Sequence, residues 1–335
     1  MGVKTSTFFW LLLSGLSMAG SGAAAAAGKR SVDAVVGGRG VLWSNPRDIA
    51  SRDLYFGPGG RRDQPRGPYT FIKEDLDGSN PKFVVRDRNG VRWKVKLGVE
   101  ARPETAATRF VWAVGYAANE DYLLRNLRVE NMPPRLRRGH KLIAPDGSMH
   151  DARLKREGAK KIGIWRWRHN PFAGTREWNG LRVLMAVINN WDLKDENNSV
   201  YLAPAAENVF MVSDLGASFG TVGASWPLAK AKGNLRSYSR SKFIRRSTPA
   251  SVDFYVPARP QTVFLVHPRD FFRRLSLRWI GRTIPSRDVH WMAGLLSQLS
   301  ARQIQDAFRA AGYSPDEVSE FASVVERRIA LLSDL

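Results

Sequence analysis

From Tyr69 onward the chain alternates between apolar and polar residues. The stretches YTFIKEDL, KFVVRD and VRWKVKLG each put their apolar side chains on one face, the period of two that a half-buried strand requires. DGSNP separates the first two, and Asn89-Gly90 supplies the left-handed turn chemistry between the second and third, so residues 69–98 are expected to form an antiparallel meander. In the third strand Trp93, Val95 and Leu97 share one face and Lys94 and Lys96 the other, so a two-residue slip in register would exchange the two lysines. Pro103 and Glu104 are start signals for a helix that Gly115 can stop. EDYLLRNLRVENM reads as a strand, and residues 132–160 as a basic hairpin or insertion. Leu181, Leu184, Met185 and Ile188 recur at helical spacing and mark a buried helix. SVYL and VFMVSDLG, joined by APAAEN, form a short hairpin. Residues 217–262 are rich in Ser, Lys and Arg and read as loop, before helices over about 268–280, 288–299, 301–312 and 315–333. A β-rich front followed by a mostly helical back makes the fold class α+β, in two parts.

Composition changes this picture at the N-terminus first. Lys4, the apolar run Phe8–Leu16 and the small residues Ala23–Ala27 have the order of a secretory signal peptide, so residues 1–28 are set aside from the fold. The expected location is exported, periplasmic or secreted. The apolar core of the leader is short for a membrane span, and no later run approaches the roughly 18 apolar residues a span needs. Residues 29–68, with YFGPGGRRDQPRGP, read as a linker or extension. The absence of cysteine excludes disulfides, thiolate metal sites and a cysteine nucleophile. The net charge of +21 calls for a polyanionic neighbour. Export argues against nucleic acid and favours an anionic surface or a phosphorylated ligand.

Against that basic background NNWDLKDENN, residues 189–198, concentrates acid. Asp192, Asp195, Glu196 and, further on, Asp214 would repel one another if brought together without a cation, and magnesium takes such oxygen ligands. The alternative is salt bridging to the many nearby Arg and Lys residues. The histidines at 140, 150, 169, 267 and 290 have no metal-ligand spacing. In IWRWRHNPF, Trp165, Trp167 and Phe172 are either aromatics packed inward or a stacking platform for a ligand.

Asp192-Leu193-Lys194 to Asn197 resembles the protein-kinase catalytic loop, with Asp, Lys and Asn at the same relative spacing, and Asp214-Leu215-Gly216 resembles the Asp-Phe-Gly metal motif with Leu for Phe. GSNPKFVVRDRNGVRWKVK is similar to the phosphate-covering turn and nucleotide-lysine strand of the HipA-like and phosphatidylinositol-kinase-like atypical kinases. The pattern departs from ordinary protein kinases in having Asn190-Trp191 before the catalytic Asp and no Gly-x-Gly-x-x-Gly loop. The resemblance implies a two-lobed protein-kinase-like fold, with an N-lobe over 69–130 and a C-lobe over 131–335. It implies ATP or another nucleotide and magnesium as cofactors. In those roles Asp192 is the catalytic base and Lys194 neutralises the transferring phosphoryl group, while Asn197 and Asp214 bind magnesium. Lys96 contacts the α/β-phosphates. Glu104 orients Lys96, with Glu100 and Glu120 as alternatives, and Ser79, Asn80 and Lys82 cover the phosphates. The acceptor, whether protein, lipid headgroup or sugar, is left open. So are two other readings: an exported pseudokinase or binding module for anionic polymers or headgroups, and a nucleotidyl transferase on the same fold.

Overall fold

The computed structural model of the chain describes residues 38–78, 80–203, 207–221, 232–257 and 268–335. The leader expected over residues 1–28, and Ser79, lie outside the described residues.

The first strand, β1 (Gly40–Val41), and the short turns after it bury Leu42, Ile49 and Leu54 in the main core. Residues 38–60 are therefore packed structure, where the composition suggested a linker. Gln303 holds this segment in place, donating from its side-chain amide to the carbonyls of Ile49 (2.8 Å) and Arg52 (2.9 Å).

The meander forms as expected: β2 (Tyr69–Asp75), β3 (Lys82–Arg86) and β4 (Arg92–Lys96) pair antiparallel, with Val85 opposite Trp93 and Lys82 opposite Lys96. Helix α1 (Ala101–Ala113) follows at once, and β5 (Asp121–Glu130) and β6 (Ser148–Arg156) then close the meander into a five-stranded barrel in the order β2-β3-β4-β6-β5. Closure leaves no free edge in this small sheet. Phe83, Val85, Trp93, Val95, Leu127 and Leu154 fill it. The barrel thus runs through Arg156, beyond residue 130, because β6 pairs with both β4 and β5. A local reading of the sequence could not supply that, since β6 is separated from β5 by a 17-residue excursion, 131–147.

After the barrel come β7 (Lys160–Gly163), α2 (Arg176–Val187), β8 (Asn198–Leu202) and β9 (Asn208–Val212). The last three strands and β1 make a second sheet, in the order β1-β9-β8-β7. The back of the chain holds α3 (Leu235–Ser239), the hairpin β10 (Ile244–Ser247) and β11 (Ser251–Phe254), and α4 (Pro268–Ser276). It ends in the short strand β12 (Ile284–Pro285), α5 (Ser286–Leu296), α6 (Ala301–Ala310) and α7 (Pro315–Ser333). Ser300 and Ser314 start the last two helices as capping boxes, each contributing on the order of 1 kcal/mol. Phe110 of α1 packs on Phe308 of α6 with ring centroids 5.7 Å apart, and Phe308 stacks on Phe321 of α7 at 5.0 Å. Helix α1 therefore belongs to both halves. It carries the side chains beside β4 and roots them in the helical core.

Candidate functional site

The cleft lies where β4 and α1 of the barrel meet the loop ends of β8 and β9. Lys96 closes β4 and is only 3% exposed. Its Nζ lies 2.6 Å from Glu104 Oε2, 3.0 Å from Glu100 Oε2 and 3.4 Å from Asp214 Oδ1. This settles the register, because Lys94 turns to Asp75 at 2.7 Å instead. It also orders the three candidate glutamates. Glu104 and Glu100 both reach Lys96, whereas Glu120 pairs with Arg156 at 3.2 Å. Glu104 is held from its other side by Arg153 of β6 at 3.2 Å, a partner the sequence did not announce. Glu100 also accepts hydrogen bonds from the Asn80 side-chain amide and from Lys232.

Burial alone would lower the Lys96 ammonium, but Glu104, Asp214 and Glu100 outweigh it and hold the group protonated, above the usual lysine range. Partial burial would raise the Asp214 carboxyl. Lys96, the Gly216 amide and Arg153 reverse that and keep it far below the usual range. Burial pushes the Glu104 carboxyl up against the pull of Arg153 and Lys96. One carboxylate oxygen each from Glu100, Glu104 and Asp214 lies within 4.8 Å of the others, the spacing of a metal site. The Lys96 ammonium already stands within 3.4 Å of all three and supplies the positive charge there.

The acidic stretch is divided between two tasks. Asn189, in the left-handed region at φ 49°, turns the chain out of α2, and its side chain donates to the Gly220 carbonyl. Asp195 Oδ1 accepts from the Trp167 backbone N–H at 3.0 Å, and Glu196 pairs with Arg273. These two carboxylates are used by the protein itself, which corrects the expectation that all four acids converge. Trp165 and Trp167 are core residues whose rings meet edge-on at 4.9 Å, and the Trp165 indole donates to the Met211 carbonyl at 3.1 Å. They brace the loop from behind and are no ligand platform.

Asp192 and Asp214 face the cleft. Asp192 Oδ1 lies 3.0 Å from Arg274 and 3.2 Å from Lys194. Arg274, on α4, is nearly buried and stacks on Trp191 at 4.8 Å. It had no signal in the sequence, because it lies 82 residues beyond the loop residue Asp192, on a separate helix. The Asn197 side-chain nitrogen donates to the Asp192 carbonyl at 2.6 Å, and the Asn197 carbonyl accepts from the backbone N–H groups of Ser213 (2.9 Å) and Asp214 (3.2 Å). These bonds tie the two motifs into one unit. Gly216 is required for close approach, since a Cβ there would stand 2.8 Å from the Glu100 Cβ. Asn80 and Lys82 lie at the rim over Lys96. Lys82 pairs in register with it and is lowered by burial, with the neighbouring lysines adding to the effect. The structure brings together Lys96, Glu104, Asn80, Lys82, Asp192, Lys194, Asn197 and Asp214, the expected set apart from Ser79.

Beside this cluster opens a cavity of about 460 Å³, lined by Lys94 and Lys155 of the barrel, Glu157 and Gly158 of the crossing segment, and Tyr201 and Met211 of the second sheet. Burial, reinforced by Arg153, pushes the Lys155 amine down to about 8.

No family model and no curated protein matches the chain. Among solved structures, a Helicobacter pylori proinflammatory kinase, CtkA, is similar at 10% identity, covering 79% of this chain and 96% of its own, with a TM-score of 0.43. The Golgi casein kinase is similar at 11% identity, covering 80% of this chain and 72% of its own, with a TM-score of 0.35. These scores are low, and the functional reading rests on the side-chain geometry.

Proposed function

We propose that the chain is a kinase-like phosphotransferase that binds a magnesium nucleotide in the cleft and passes its terminal phosphoryl group to an acceptor hydroxyl. The observation that carries this reading is the single cluster of Lys96, Glu104, Asp214, Asn197 and Asp192, drawn from four separate segments and joined by direct contacts. A buried lysine fixed by a helix glutamate, beside an aspartate at a strand end and a second aspartate on the adjoining loop, is the set phosphoryl transfer requires.

Nucleotide fits the adjoining cavity, with its phosphates directed to Lys96 and covered from Asn80 and Lys82. Magnesium fits the donor chemistry. Asn197 spends its amide nitrogen on the Asp192 carbonyl, which leaves its side-chain oxygen for a cation, and the Asp214 side chain is 42% exposed. Asn197 and Asp214 would hold the ion, which would neutralise charge developing on the phosphates. Lys96 then grips the phosphates and Glu104, backed by Arg153, holds Lys96 at the correct height. Asp192 accepts the proton of the attacking hydroxyl as the new O–P bond forms. The bond from phosphorus to the bridging oxygen breaks, and the nucleoside diphosphate leaves with that electron pair. Lys194 and Arg274 balance the charge around Asp192.

The test is transfer of label from ATP labelled in the γ- or the α-phosphate, to water or to the protein itself, in the chain and in Asp192→Asn. Transfer of γ-label alone, lost in the variant, is the expected result. Transfer of α-label would make the chain a nucleotidyl transferase. Transfer of neither, with no nucleotide binding, would leave a binding module.

A further inference from the structure

Next to the catalytic loop lies a second cavity, of about 260 Å³, lined by Arg245, Phe254, Tyr255, Val256, Arg278 and Arg282. Half of its lining residues are arginines and none is acidic. Among the described residues, no carboxylate stands within ion-pair distance of the Arg245, Arg278 or Arg282 guanidinium. Lys242 adds a fourth cation, its ammonium 5.5 Å from the centre of the Tyr255 ring. The single carboxylate of the segment 240–257, Asp253, is engaged elsewhere: its Oδ1 accepts from the Thr283 backbone N–H at 2.7 Å. Three guanidiniums around one concavity repel one another, weakly where solvent screens them, and an anion between them turns that repulsion into attraction. Arginine's planar fork matches the oxygens of a phosphoryl group.

The position matters as much as the charge. Tyr255 and Val256 also line a narrow crevice together with Asn189, Asn190 and Leu193 of the catalytic loop. Arg278 follows Arg274 by four residues, at the end of the same helical stretch, and Arg274 touches Asp192. The cavity is thus mechanically joined to the loop that carries the proposed base.

We propose that this cavity is a binding site for a phosphomonoester group carried by the acceptor, so that the acceptor is already phosphorylated at one position when its hydroxyl meets Asp192. This rests on the phosphotransferase reading for its role, but the anion site stands on its own geometry. The phosphomonoester is supplied by a small soluble molecule or by a phospholipid headgroup, since the chemistry read by the arginines is the same.

The experiment titrates the full chain and the double variant Arg245→Ala/Arg278→Ala with inorganic phosphate at low salt. Both residues are exposed, so the variant keeps its fold. The expected result is phosphate binding that weakens about tenfold or more in the variant, the size of one or two lost charge-assisted hydrogen bonds. The nucleotide-dependent shift in melting should stay as in the wild type. Glycerol phosphate in solution and vesicles carrying phosphatidic acid then separate the two sources, each read as binding lost in the variant. Equal phosphate affinity in both proteins overturns the proposal. So does an absence of binding by the wild type at about 10 mM. Phosphate binding through the arginines without any nucleotide binding would leave this site standing and remove the kinase reading instead.

Discussion

Around Lys96 three cations, Lys96, Arg153 and Lys232, are interleaved with Glu100, Glu104 and Asp214, and each charge touches one of opposite sign. Around Tyr255 three guanidiniums and an ammonium gather, with no carboxylate paired to the guanidiniums among the described residues. The first region is complete within the chain and presents a finished geometry to a ligand. The second, at the solvent-exposed surface, gathers like charges whose repulsion an anionic ligand would relieve. Internal compensation marks a site built for positioning, and uncompensated charge marks a site built for capture. Lys155 stands between the two cases. It sits on the strand next to Lys96, yet among the described residues no carboxylate pairs with it, and burial outweighs the pull of Glu104 and drives its amine down instead of up.

The largest test of this contrast removes the central cation. Lys96→Met should leave Glu100, Glu104 and Asp214 with too little positive charge in a buried place and cost about 3–5 kcal/mol in urea-induced unfolding. A loss under about 1 kcal/mol would show that the cluster is not internally compensated. The same cut through the other region, at Arg278, should leave stability unchanged or raise it, because it relieves repulsion.

A smaller effect is expected from Gly216→Ala. The new methyl group would meet the Glu100 side chain at 2.8 Å, so the loop carrying Asp214 must shift. The expected cost is about 1–3 kcal/mol, with nucleotide affinity falling alongside. Unchanged affinity would show that Asp214 does not need this close approach.

The smallest effect concerns pH. The folded state holds Lys155 at about 8, below its ordinary value of 10.5, so between these values the unfolded chain binds more protons. Stability from this residue therefore rises as pH climbs from about 8 towards 10.5, and below that window burial of the amine is a standing cost. Lys155→Met should be more stable than the wild type at pH 7, with the gap narrowing by pH 10. A gap that does not change with pH would mean that the amine is solvated in the folded protein.

The meander, α1, α2, the β8–β9 hairpin and the closing helices were all legible from periodicity and caps, because each is specified by residues close together in the chain. So were the side chains that meet in the cleft, since their spacing within each motif is local. One local piece escaped: α3 and the β10–β11 hairpin lie in the stretch 217–262 that its Ser, Lys and Arg content marked as loop. The rest of what escaped was long-range. Strand β6 joins the front barrel only through pairing with β4 and β5. The segment 38–60 looks like a linker in composition, yet buries Leu42, Ile49 and Leu54. Arg153 and Arg274 complete the two halves of the site from strands and helices that no motif connects to them. Asp195 and Glu196 look from the sequence like acids gathered for a cation, but their partners are the Trp167 backbone and Arg273.

The central claim is that the cluster at Lys96, Asn197 and Asp214 is a magnesium-nucleotide site. Thermal melting of residues 29–335 with ATP, with and without magnesium, beside Asp214→Ala, addresses it most directly. At a ligand concentration 100 times the dissociation constant the wild type should gain about 2.7 kcal/mol, seen as a raised melting temperature only when both nucleotide and metal are present. Asp214→Ala should melt at the same temperature in every condition. A wild type that ignores every nucleotide, or a variant that responds as strongly as the wild type, would contradict the account.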